Sequence, residues 1–232
     1  MRVANEFIKM GKNTIFPVFC LGCKKEGFLV CIACYSKISC KGVFFCPVCH
    51  HVNESGSNCE KCTVGSYLEK HIAVTKYDES DLIGDIIHNL KYNFVQDLKL
   101  VIGRMIADFT NKNMRVFNQV DIVVPVPLHK RRYAERGFNQ AEIIAKIIGS
   151  IFDVPVHNVL ERRKYTKHQA HLPRRERIIN VENAFNIIDD VCGRGIIVVD
   201  DVFTTGATLQ ECARILKTGG AKSVCGFSVA RG

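Results

Sequence analysis

Four Cys-x-x-Cys pairs, Cys20/Cys23, Cys31/Cys34, Cys46/Cys49 and Cys59/Cys62, crowd into one stretch near the start of the chain. Each such turn brings two sulfurs onto one tetrahedral ion, and a closed structural site takes two turns. Eight ligands therefore predict two zinc sites of four cysteines each. The short gaps Cys23–Cys31 and Cys49–Cys59 make sequential pairing the simplest, first turn with second and third with fourth; an interleaved pairing also satisfies the count. Redox or iron–sulfur use is the competing reading of this spacing. The bland role of the ions, replacing a core that a Cys-, Gly- and Lys-rich segment cannot build, is favoured. Lys24, Lys25, Lys37, Lys41 and Lys61 surround the pairs and leave a basic surface. Cys40 is spare. Cys192, Cys212 and Cys225 lack partner spacing and read as buried structural thiols.

Composition sets outer limits. The chain has 232 residues, 47% of them hydrophobic, enough for one sizeable domain and a small one. No apolar run approaches the roughly 20 residues needed to span a bilayer, so membrane insertion is not expected. The start of the chain lacks the apolar core of a secretory signal, which predicts a cytoplasmic protein. Twelve cysteines in that reducing compartment argue for metal over disulfides. Formal charge is +9, and two zinc ions each held by four thiolates reduce it to about +5. Phosphate-bearing partners suit that charge, although there is no polybasic tail.

The pattern changes near Leu68, which predicts a zinc module over residues 1–68 and an α/β domain over 69–232. In the second part short apolar runs alternate with amphipathic segments, the signature of a parallel sheet flanked by helices. Strands are predicted at 71–77, 120–128, 195–200 and 223–231. Helices are predicted from Ser80 or Asp81, through "DLKLVIGRMIADFTNKN", "NQAEIIAKIIGSIF" and "TLQECARILKTGGA". The stripe Leu98, Val101, Ile102, Met105, Ile106, Phe109 has helical spacing.

"VVDDVFTTGAT" (198–208) carries the chemistry. Asp200 and Asp201 stand at the carboxyl end of a buried strand, where open parallel sheets bind ligands. Thr204, Thr205 and Thr208 supply hydroxyls, Gly206 permits close backbone approach, and the start of the helix that follows offers free amides to an anion. Carboxylates suit sugar hydroxyls, amides and hydroxyls suit a phosphate, and a divalent ion suits both. A capped helix with solvated acids would explain each piece alone, but not the set in this order.

"IIVVDDVFTTGATL" resembles the 5-phosphoribosyl pyrophosphate (PRPP) signature of type I phosphoribosyltransferases, with Phe203 bulkier than the usual aliphatic residue. "PVPLHKRRYAERGFNQAEIIAKII" and "VLERRKYTKHQAHLPRRERIINVENAF" resemble the ComF family of ComFC-type competence proteins, whose pattern a cysteine-rich N-terminal module completes. The resemblance implies a type I phosphoribosyltransferase-like domain behind a double zinc ribbon. It also implies PRPP with Mg²⁺, with Asp200 and Asp201 on the ribose hydroxyls and Thr204, Thr205, Gly206, Ala207 and Thr208 around the 5′-phosphate. Natural transformation is the implied setting, with internalised single-stranded DNA and competence or DNA-processing proteins as partners.

Two basic segments extend the site. Lys130, Arg131, Arg132 and Arg136 follow the strand that ends near Val126, so by the sheet-edge argument they face the acid–threonine loop. Lys130, Arg132 and Arg136 are candidates for the pyrophosphate; Gly137 after Arg136 would let a turn close on an anion. Arg162, Arg163, Lys164, Arg174 and Arg175 lie in a later loop. That loop reads equally as a phosphate clamp, as a single-stranded nucleic-acid track with Tyr165, Tyr133 or Phe138 for stacking, or as a solvated charged face. His168 and His171 carry no paired carboxylate and are not assigned a role. The competing function is a transferase in which a base or amine attacks C1 of PRPP, with Asp200 stabilising positive charge on the sugar.

Overall fold

A computed structural model describes residues 17–93, 97–113, 119–165 and 174–232, without the side chains of 174, 175, 177 and 178. In chain order the elements are α1 (Ile32–Tyr35), β1 (Val43–Phe44), β2 (Lys70–Lys76), α2 (Leu82–Tyr92), α3 (Leu98–Thr110) and β3 (Ile122–Pro125). Then follow α4 (Lys130–Arg136), α5 (Gln140–Phe152), β4 (Leu160–Arg162), α6 (Arg174–Val181) and β5 (Phe185–Ile187). The chain closes with β6 (Gly195–Phe203), α7 (Ala207–Thr218) and β7 (Ser223–Arg231). A short 3-10 helix covers Glu60–Gly65.

One sheet runs β1-β2-β7-β6-β3, and β2, β7, β6 and β3 are mutually parallel. Both of its faces are covered, which is why its strands read as continuous apolar runs. Ile197, Val199, Phe227 and Val229 point to the layer of α2, α3 and α5; Ile196, Val198 and Val224 point to the layer of α7. The predicted α3 stripe is buried except for Val101, which is partly covered. In α7 Leu209, Cys212, Ala213 and Leu216 are all buried. Asp81 caps α2 by accepting hydrogen bonds from the amides of Ile83 and Gly84.

Several expectations need adjustment. β6 runs three residues past the expected end at Asp200, because β7 continues to pair with it through Val202↔Ala230 and Phe203↔Arg231. The basic stretch after Pro127 folds into α4, and Gly137 (φ 73°) ends that helix. β4 and β5 form a small antiparallel ladder that sequence periodicity did not reveal. Cys212 and Cys225 are buried as expected, but Cys192 is exposed, in the turn between β5 and β6. The cysteine-rich segment joins the sheet directly: Val43 and Phe44 of β1 pair antiparallel with Ala73 and Ile72.

Candidate functional site

The cysteine pairs group sequentially. Cys20, Cys23, Cys31 and Cys34 form one set and Cys46, Cys49, Cys59 and Cys62 the other, with the sulfurs of each set within 4.8 Å of one another. Cys23 and Cys31 sulfurs are 3.6 Å apart, and those of Cys49 and Cys59 are 3.7 Å apart. Zinc–sulfur bonds of about 2.3 Å in a tetrahedron put sulfurs about 3.8 Å apart, so both sets fit a zinc ion. Burial opposes the Cys20 and Cys46 thiolates, but backbone amides aimed at them bring both down to about 6.

The second feature is a cleft at the carboxyl ends of β3 and β6. Asp200, Asp201, Thr204, Thr205, Gly206, Ala207 and Thr208 line it, together with Arg132, Arg136 and Arg162. The parallel sheet places them: β6 delivers the acid pair, the loop to α7 delivers the threonines, and the segment after β3 delivers Arg132 and Arg136. Lys130 is exposed and lies off the lining. Arg163 is held by Glu161 at 2.6 Å, and Lys164 is exposed. Arg174 and Arg175 belong to the start of α6, and their side chains, with His168 and His171, lie outside the described residues.

The acid pair has two unlike environments. Asp201 is buried, and its Oδ2 forms an ion pair with Nζ of Lys91. Burial disfavours its charge, but Lys91 and a hydrogen bond from Gln140 outweigh this and hold the carboxyl below its usual range. Gln140 in turn accepts a hydrogen bond from Nη1 of the buried Arg136 at 3.0 Å. At Asp200 the Lys91 charge and the Asp201 amide, which donates to its Oδ1 at 2.9 Å, are the weaker influences. Burial and the adjacent Asp201 carboxylate push it up to about 8. One acid therefore carries a fixed charge and its neighbour holds a proton at neutral pH.

Lys91, Gln140, Tyr77 and Tyr92 line the same cleft and were not found from sequence. Lys91 did leave a signal: it stands four residues beyond Ile87 and eight beyond Ile83, on the apolar stripe of α2.

The threonine loop rests on a stack of rings and a guanidinium. Phe203 is buried, with the His71 ring centroid 3.9 Å away and the Arg231 guanidinium carbon 4.4 Å away. A Cβ on Gly206 would come within 2.4 Å of the Phe203 ring, and φ at Gly206 is +76°. Glycine is thus required there on both steric and conformational grounds. Arg231 also donates to the carbonyls of Phe45 at 3.3 Å and Cys46 at 3.2 Å, tying the loop to the second cysteine set.

Residues 95–230 match the family model for the phosphoribosyl transferase domain. The chain is 31% identical over 212 residues to Competence protein ComFC of Bacillus subtilis (strain 168), covering 87% of this chain and 84% of that one. It belongs to the ComF family. Competence protein F of Haemophilus influenzae is a second ComF relative, 27% identical over 222 residues, 91% of this chain and 90% of that protein. DNA utilization protein YhgH of Escherichia coli (strain K12) is 31% identical over 154 residues, 65% of this chain and 68% of its own length. As a ComF-family member the chain combines an α/β phosphoribosyl transferase domain with two four-cysteine groups suited to zinc. Among the described residues no helix is long and apolar enough to cross a membrane.

Proposed function

We propose that this ComF-family protein binds PRPP or a related ribose phosphate in the cleft and acts in the cytoplasm in DNA uptake, where it handles internalised single-stranded DNA. The single observation behind the site is convergence: an acid pair, a threonine loop around Gly206, and Arg132 and Arg136 line one cleft at the sheet's carboxyl edge. Asp200 and Asp201 take the ribose hydroxyls. Thr204, Thr205 and Thr208, with the amides of Gly206 and Ala207, take the 5′-phosphate. Arg132 and Arg136 take a pyrophosphate, and Mg²⁺ arrives with PRPP. In the proposed organisation residues 1–68 form the zinc-held module and 69–232 the sugar-phosphate domain. The DNA role draws on the names of the relatives and on the basic residues around β4; competence or DNA-processing proteins are the expected partners.

The second reading is an active transferase, favoured by the three arginines that line the cleft with the acid pair and suit a departing pyrophosphate. Asp200, once it gives up its proton, then stabilises positive charge at the sugar. Pyrophosphate release from PRPP across a panel of bases and amines separates the two readings, since a sensor or scaffold releases none. Binding of a labelled single-stranded oligonucleotide, with log affinity falling linearly as log salt rises, tests the DNA role. An Arg162→Ala/Arg163→Ala variant should weaken it; no affinity at low salt in the intact chain overturns it.

A further inference from the structure

We propose that Lys91 is the resident counter-cation of the acid pair, so that the cleft binds a pentose 5-phosphate without a divalent metal ion. The inference rests on the ribose-phosphate reading above and adds a metal requirement, or rather its absence, at the sugar end of the ligand.

The geometry carries it. Lys91 lies in the last turn of α2, and its ammonium bonds Oδ2 of Asp201 at the cleft wall. The pair is largely sealed, with side-chain exposures of 22% for Lys91 and 5% for Asp201. The described cleft wall carries four cations, Lys91, Arg132, Arg136 and Arg162, against three carboxyls, Glu79, Asp200 and Asp201. Burial and its neighbour also keep Asp200 largely protonated. The one firmly charged member of the acid pair is already occupied by an ammonium.

Magnesium needs something else. It demands near-octahedral oxygen ligands and is usually held by one or two carboxylates together with phosphate oxygens of the substrate. Here it would have to displace Lys91 from Asp201, take the proton from Asp200, and sit among arginines. The acid pair alone does not fit a divalent ion. A pyrophosphate chain can carry its own metal into the cleft, whereas a pentose 5-phosphate brings no such chelating group. Lys91 therefore acts through Asp201 as a positioning residue. It holds that carboxylate charged and oriented toward the sugar hydroxyls, the task a metal would otherwise share.

Calorimetric titration of ribose 5-phosphate into the full chain, once in EDTA and once in excess Mg²⁺, tests this. The wild type should bind with affinities within about twofold of each other in the two buffers. Lys91→Met should lose at least about tenfold, roughly 1.4 kcal/mol, in EDTA and regain part of it with Mg²⁺. Lys91→Arg should keep metal-independent binding. A wild type that binds only with Mg²⁺, or a Lys91→Met variant that matches wild type in EDTA, overturns the proposal while the ribose-phosphate reading stands. No binding in either buffer removes that reading and the proposal with it. If Lys91→Met does not fold, the wild-type comparison and Lys91→Arg decide.

Discussion

The guanidinium of Arg231 sits 4.4 Å from the Phe203 ring while its terminal nitrogens reach the carbonyls of Phe45 and Cys46. One side chain at the end of β7 thus joins the threonine loop to the second cysteine set. It also fixes His71. Arg231 can only donate, so Nδ1 of His71 accepts at 3.3 Å, and Nε2 carries the hydrogen toward Ser228 at 3.1 Å. Burial, then the Arg231 charge, pushes His71 well below its usual range and keeps the ring neutral. Arg231→Met preserves bulk but leaves two carbonyls without their donors. We expect a loss of roughly 2–4 kcal/mol, read as a fall in melting temperature of at least about 4 °C. A fall below about 1 °C would contradict the linkage.

Metal removal should reach beyond the cysteine module. Elemental measurement should find two zinc ions per chain, and a chelator should lower the melting temperature. Because β1 is the edge strand on β2, amide exchange should speed up in β2 after chelation. One zinc per chain, or exchange confined to residues 17–68, would break this account.

The two acids should have opposite effects on stability. Asp200, raised to about 8 by burial and Asp201, keeps a proton that the unfolded chain releases above about 4. Its contribution to stability therefore declines as pH rises from about 4 to 8 and then levels off. Asp200→Asn should raise the melting temperature, by about 2 °C or more at pH 8, with the gain shrinking toward pH 4. Asp201 is held below its usual range because Lys91 and Gln140 outweigh its burial. Its contribution is present above the unfolded value and is lost as pH falls through the folded one. Asp201→Asn should destabilise at neutral pH, since it strands the Lys91 ammonium. Thermal melts of both variants from pH 4 to 8 check this; shifts of the same sign at pH 8 would refute it.

Elements governed by local rules were readable from the chain. The α3 stripe, the cap at Asp81 and the apolar run of β6 follow from periodicity and hydrogen-bonding chemistry alone. Cys-x-x-Cys spacing predicted both metal-suited groups, and the short gaps correctly favoured sequential pairing. Partnerships distant in sequence were not readable. Lys91 of α2 meets Asp201 of β6 from nearly half the chain away, and the Phe203 stack draws residues from β2 and β7. β6 overran its expected end because its length is set by β7, not by its own composition. Gly137 reads in the sequence as a turn glycine, and what the sequence did not show is that it ends a helix, a place with the same demand for positive φ.

Binding of a phosphorylated ribose by the acid pair and the threonine loop is the property on which the proposed function depends. Calorimetric titration of PRPP with Mg²⁺ into the wild type and into an Asp200→Asn/Asp201→Asn double variant measures this directly. The wild type should show saturable one-to-one binding, and the double variant should lose at least about a hundredfold, roughly 2.7 kcal/mol. Equal binding by both proteins, or none by the wild type, would contradict the proposed function.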